Sequence, residues 1–156
     1  MPTFRVSTAR VLLIGYGNPL RGDDALGPMV VERLRPLLTN TVFVSAHQLS
    51  PELAESLAHC ELALFVDAAA SGEPGTVRVQ RLEPVNSAAS FTHHTEAGAL
   101  LALALELYGC APEAMLVTGA GATFDGEDRL SEQGRLALEE ICSLVPLLIR
   151  NFRAAR

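Results

Sequence analysis

Three places in the chain carry side chains able to hold a metal ion or move a proton: Asp23-Asp24, Asp67 and His93-His94. Two carboxylates and an imidazole make a hard-to-borderline donor set, suited to nickel, zinc or iron with positions left open for another ligand. Each place also has an ordinary structural explanation. Asp23 or Asp24 could cap a helix, where free N–H groups and the helix dipole favour a carboxylate. A lone histidine is most often a satisfied surface or near-core side chain, and a pair at a helix start is most often structural. Asp67 is harder to dismiss, because an acid after a buried strand needs a cation, a cap or solvent. The question is whether the fold gathers the three.

The apolar pattern supplies elements that would do so. Ala9 to Tyr16 reads as a strand buried on both faces, as in a parallel sheet, and runs into the turn Gly15-Tyr-Gly-Asn-Pro19. Ala25, Leu26, Met29, Val30, Leu34, Leu37 and Leu38 recur at helical spacing, which predicts a helix from Asp24 to about Leu38. Thr41 to Ala46 is a second strand ending at His47-Gln48, and Ser50-Pro51-Glu52 opens a helix running to about His59. Leu62 to Asp67 is a third strand that ends on its aspartate. Thr76 to Leu82 alternates like a half-exposed edge strand. Thr95 to Tyr108 is a helix stopped by Gly109, and Met115 to Gly119 a further buried strand. Ser131 caps a last helix to about Phe152, with a stripe of Leu138, Ile141, Cys142, Val145, Leu148, Ile149 and Phe152 and a kink expected at Pro146.

Alternating strands and helices predict a three-layer α/β/α sandwich around a mostly parallel twisted sheet with an antiparallel edge strand. In such a sheet the carboxyl ends of the strands share one edge, the usual place for sites in open α/β folds. Asp23-Asp24, Asp67 and His93-His94 would converge there, with His47, Gln48 and Asn18 as candidate substrate-binding residues.

At 156 residues the chain is expected to be a single domain, 1–156, with 1–8 a short tail. The tail has no secretory apolar region and no run approaches the ~20 apolar residues of a membrane span, so a cytoplasmic location is expected. A net charge of −6 argues against nucleic acid, which needs clustered Lys and Arg. Cys60, Cys110 and Cys142 form no C-x-x-C and read as buried free thiols. No organic cofactor is indicated. A dinucleotide fingerprint would need Gly at Leu20 and an acid after the second strand, and a P-loop would need Gly-Lys-Ser/Thr. There is no Gly-x-Ser-x-Gly elbow and no His-Glu-x-x-His.

Taken together, the run Leu12-Leu-Ile-Gly-Tyr-Gly-Asn-Pro-Leu-Arg-Gly-Asp-Asp24, the strand ending Val66-Asp67-Ala68, and His93 ahead of Leu100-Leu-Ala-Leu-Ala104 resemble the hydrogenase maturation proteases. The resemblance covers nearly the whole chain. It implies an aspartic-type endopeptidase that removes the C-terminal peptide of the nickel–iron hydrogenase large-subunit precursor after nickel insertion. The nickel would arrive with the substrate. The family's metal-contacting trio falls on Asp24, Asp67 and His93, with a dual catalytic role; counting back from Leu100 selects His93, with His94 the fallback. His47-Gln-Leu-Ser-Pro-Glu-Leu-Ala54 looks like the branch acting on soluble, bidirectional or NAD(P)-linked hydrogenases. The implied partner is the immature large subunit, with no nucleic acid or membrane.

Two alternatives come from other classes. Peptidyl-tRNA hydrolase opens with a similar Gly-x-Gly-Asn-Pro turn but continues into Thr-Arg-His-Asn, where this chain has Arg21-Gly-Asp-Asp-Ala-Leu-Gly27. A non-cleaving, nickel-dependent chaperone or sensor of hydrogenase assembly would use the same trio.

Overall fold

The first strand is an unbroken run of apolar side chains, and in the computed structural model all six residues of β1 (Val11–Tyr16) are buried. The structure describes residues 10–85, 93–125 and 128–156; within it, the side chains of 93–95 are outside the described set. After β1 come a 3₁₀ turn (Gly22–Ala25), α1 (Leu26–Leu34), β2 (Thr41–Ala46), α2 (Leu53–Ala58), β3 (Leu62–Ala69), β4 (Val77–Leu82), α3 (His93–Tyr108), β5 (Glu113–Ala120) and α4 (Glu132–Ala154). The sheet order is β2-β1-β3-β5-β4. Every pairing is parallel except that of the edge strand β4 with β5.

Because side chains alternate across a strand, β1 and β3 feed two separate cores. Val11, Leu13, Leu62, Leu64 and Val66 pack with α1 and α4 on one face. Leu12, Ile14, Tyr16, Ala63 and Phe65 pack with α2 and α3 on the other. This is the three-layer α/β/α sandwich with a mixed, mostly parallel sheet. The α4 stripe holds too: Leu138, Ile141, Val145, Ile149 and Phe152 are buried, with Cys142 and Leu148 partly so. Ser131 caps that helix by accepting from the Gly134 N–H at 3.0 Å, and α4 is assigned as one helix with Pro146 inside it.

Several boundaries differ from the sequence expectation. α1 ends at Leu34, not Leu38, since Pro36 has no N–H to continue the ladder; Leu37 then lies 68% exposed. α2 starts at Leu53, with Ser50 and Pro51 in the preceding turn and no side-chain cap. β3 runs two residues beyond Asp67, because β5 still pairs with it there, Asp67 beside Thr118 and Ala68 beside Gly119. α3 begins at His93 rather than Thr95. The thiols are not uniformly buried: Cys110 is exposed and the other two are intermediate. Among the described residues no helix is long and apolar enough to cross a membrane.

Candidate active site

Asp24 reaches the carboxyl edge of the sheet through the glycine turn. Gly17 has φ +142°, a conformation side-chain-bearing residues rarely adopt, and a Cβ there would run into the Asp24 carbonyl. Gly27 lets the start of α1 lie against the backbones of Tyr16 and Val66, with Val66 one residue before Asp67. The half-buried Asp24 carboxylate accepts the Asn18 N–H at 2.7 Å through Oδ2. It therefore bonds backward into the turn, and neither the 3₁₀ turn nor α1 has a side-chain cap. Asn18 shapes the same turn, its Oδ1 accepting the Leu20 N–H at 2.9 Å and its carbonyl the Arg21 N–H at 3.1 Å.

Asp67 is 1% exposed. Its Oδ1 accepts the Ala68 N–H at 2.8 Å. The parallel register of β1 and β3 ends at Gly15 beside Val66, so Tyr16 and Asp67 are the next residues along it. Both follow residues by two (Ile14 and Phe65) that face the α2–α3 core, which puts them on that face. The Tyr16 phenol is held protonated, far above its usual range. Burial contributes most, followed by the charges of Asp67 and Glu96. Nothing in the sequence singled out Tyr16; its position directly before Gly17, level with the acid-bearing strand, was the available signal.

Glu96 belongs to the first turn of α3, and Ala97 is buried in the same core as Tyr16. The start of α3, with His93 and His94 as its first two residues, is thus brought to the edge that carries Tyr16 and Asp67. The imidazoles of His93 and His94 lie outside the described residues. Among the described residues, no three His, Cys, Asp or Glu side chains come together as a metal site. His47 and Gln48 are exposed at the end of β2 on the same edge. They adjoin the glycine turn, since the Ala46 carbonyl accepts the Gly17 N–H at 3.0 Å.

The neighbouring acid has a different task. Asp23 is 0% exposed and caps neither the 3₁₀ turn nor α1. Its Oδ2 accepts from Ala122 N at 2.7 Å, Thr123 N at 3.1 Å and Ser131 Oγ at 2.6 Å. Its Oδ1 accepts from Ser131 N at 2.8 Å. Burial pushes its pKa up, but the bonds from Ser131, Ala122 and Thr123 outweigh that and hold it below the usual carboxylate range. Asp23 ties the loop before α4 to the turn that presents Asp24. Of the tandem pair, Asp23 fixes the scaffold and Asp24 bonds into the glycine turn.

No protein-family model and no curated protein matches the chain. Solved structures do. A hydrogenase maturating endopeptidase, HybD from E. coli, matches with TM-score 0.77 and 25% identity, over 91% of this chain and 93% of that one. A hydrogenase 2 maturation peptidase from a Thaumarchaeota archaeon matches with TM-score 0.68 and 25% identity, over 90% and 97%. A nickel–iron hydrogenase maturation protease, HycI from Thermococcus kodakarensis KOD1, shares the fold at TM-score 0.71 and 24% identity, over 91% and 93%. The structural homologues of this chain are hydrogenase maturation endopeptidases, enzymes that hydrolyse peptide bonds.

Proposed function

We propose that this chain is an endopeptidase that removes the C-terminal peptide from a nickel–iron hydrogenase large-subunit precursor once nickel has been inserted. The observation that carries the reading is the match to E. coli HybD along 91% of the chain. The placement of Asp24, Asp67 and the start of α3 on one sheet edge supports it. In this reading the nickel is cargo of the substrate. Asp24, Asp67 and His93, with His94 as the fallback, supply two oxygens and one nitrogen, a borderline donor set that suits nickel and leaves positions for the substrate's own ligands.

Nickel held there would act as a Lewis acid near the scissile carbonyl. The chain's residues supply the positioning. The Asn18 N–H holds one Asp24 oxygen and leaves the other for the incoming ion. The Ala68 N–H orients the Asp67 carboxylate from within the sheet, and the protonated Tyr16 shares its face. The positive end of the α3 dipole favours negative charge at the same edge. In this reading His47, Gln48 and Asn18 bind the substrate segment beside the metal. The His47–Ala54 segment looks like the branch that serves soluble, bidirectional or NAD(P)-linked hydrogenases, and the proposed location is the cytoplasm.

The test is cleavage of nickel-loaded precursor by the folded variants Asp24→Asn and Asp67→Asn. Each should leave the precursor at full length while retaining the wild-type circular dichroism spectrum. Full cleavage by both would overturn the site assignment. A precursor that binds wild-type protein but never shortens would favour the non-cleaving chaperone.

A further inference from the structure

At the opposite, amino-terminal edge of the sheet, two of the three thiols converge. Cys60 follows α2, and its Sγ donates to the Leu57 carbonyl at 3.4 Å. Cys110 follows α3, fifty-two positions from Ala58, and its Sγ donates to the Ala58 carbonyl at 3.3 Å. The two sulfurs therefore rest on consecutive carbonyls at the end of one short helix. The backbone brings them together as well. β3 and β5 begin side by side, Leu62 beside Glu113, and the Glu113 N–H donates to the Glu61 carbonyl at 3.1 Å. Continuing that register places Cys60 beside Ala111, one residue from Cys110. Neighbouring strands lie about 4.8 Å apart and rise about 3.3 Å per residue, so the diagonal from Cys60 to Cys110 is about 6 Å, within the 4.4–6.8 Å Cα separation that a disulfide spans. Cys142 lies on the other face of the sheet, packed against the α1–α4 core.

We propose that Cys60 and Cys110 are a modification site: a thiol pair that a small disulfide oxidant closes into an intramolecular disulfide joining the end of α2 to the α3–β5 connection. The proposal is independent of the endopeptidase reading. The roles of the two thiols differ because their surroundings differ. Burial pushes the Cys60 thiol up to about 12, whereas Cys110 is exposed. The attacking sulfur is thus Cys110, since the thiolate is the nucleophile and needs access. With oxidised glutathione, the Cys110 thiolate bonds to one glutathione sulfur and expels the other half as a thiolate, which takes up a proton. Cys60 gives its proton to solvent and attacks the Cys110 sulfur, and the second glutathione leaves. One oxidised glutathione is reduced to two thiols and two cysteines are oxidised to one disulfide.

The experiment treats the full-length chain with oxidised glutathione, then denatures it, alkylates it and measures intact mass and peptide linkages. The expected result is the loss of two of the three alkylatable thiols, with the Cys60 and Cys110 peptides linked and Cys142 alkylated. Cys110→Ser should abolish the link, and Cys60→Ser should leave glutathione attached to Cys110. Cys142→Ser should oxidise as the wild type does. Three alkylatable thiols after oxidation, a persistent glutathione adduct on wild-type Cys110, or a link through Cys142 would each overturn the proposal.

Discussion

Replacing Asp23 by Asn keeps the side chain's shape and removes its charge, so it isolates what the buried carboxylate contributes. The native side chain accepts four hydrogen bonds, three at Oδ2 and one at Oδ1. An amide has one oxygen and one NH2 group that only donates. With its oxygen at the Oδ2 position, the amide nitrogen faces the Ser131 N–H, a donor against a donor. Leaving that N–H without an acceptor costs about 1–3 kcal/mol. The three surviving bonds lose their charge assistance, which roughly doubles a bond's strength, while relief from burying a charge offsets part of the loss. The expected net destabilisation is about 3 kcal/mol, or roughly 6–12 °C in Tm for a domain of this size. Urea unfolding followed by circular dichroism should show a lower midpoint with an unchanged slope. The pH dependence has a definite sign. Asp23 titrates below its ordinary value of 3.8 when folded, so its stabilisation is present above that value and is lost as pH falls through the folded pKa. The gap between wild type and Asp23→Asn should therefore shrink in strong acid. A gap within about 0.5 kcal/mol at neutral pH, the range of ordinary surface changes, would refute the role given to Asp23.

Further perturbations separate scaffold from site. Gly17→Ala forces a Cβ onto the Asp24 carbonyl at a φ that alanine avoids; it should cost at least about 1–3 kcal/mol in the same unfolding assay and impair cleavage as well. Tyr16→Phe removes the phenol that burial and the charge of Asp67 keep protonated; cleavage of nickel-loaded precursor should fall about tenfold or more. Ser131→Ala removes both the α4 cap and a donor to Asp23, for about 1–2 kcal/mol. Combined with Asp23→Asn in a double-mutant cycle, it should cost less than the two single changes added together.

Local pattern made much of the fold legible. Unbroken apolar runs located β1 and β3, alternation marked β4 as the edge strand, and Ser131 before an amphipathic stripe fixed the start of α4. Boundaries set by partners were not legible. β3 passes through Asp67 because β5 pairs beside it, and no residue near Asp67 signals that. Asp24 bonds only six positions back, into the glycine turn, so the helix cap that its place before α1 suggested is not made. Asp23 was indistinguishable from its neighbour because its hydrogen-bond partners lie 99 to 108 positions away. Tyr16 carries no motif, and only the register of two parallel strands, continued by one residue, sets it level with Asp67.

The central claim is that this sheet edge reads nickel in the substrate and then cuts. Intact-mass measurement of a hydrogenase large-subunit precursor, nickel-loaded and nickel-free, before and after incubation with the wild-type chain tests it most directly. The account predicts loss of a single C-terminal peptide from the nickel-loaded precursor and no change in the nickel-free one. Equal shortening of both would contradict nickel recognition, and an unshortened loaded precursor would contradict the endopeptidase.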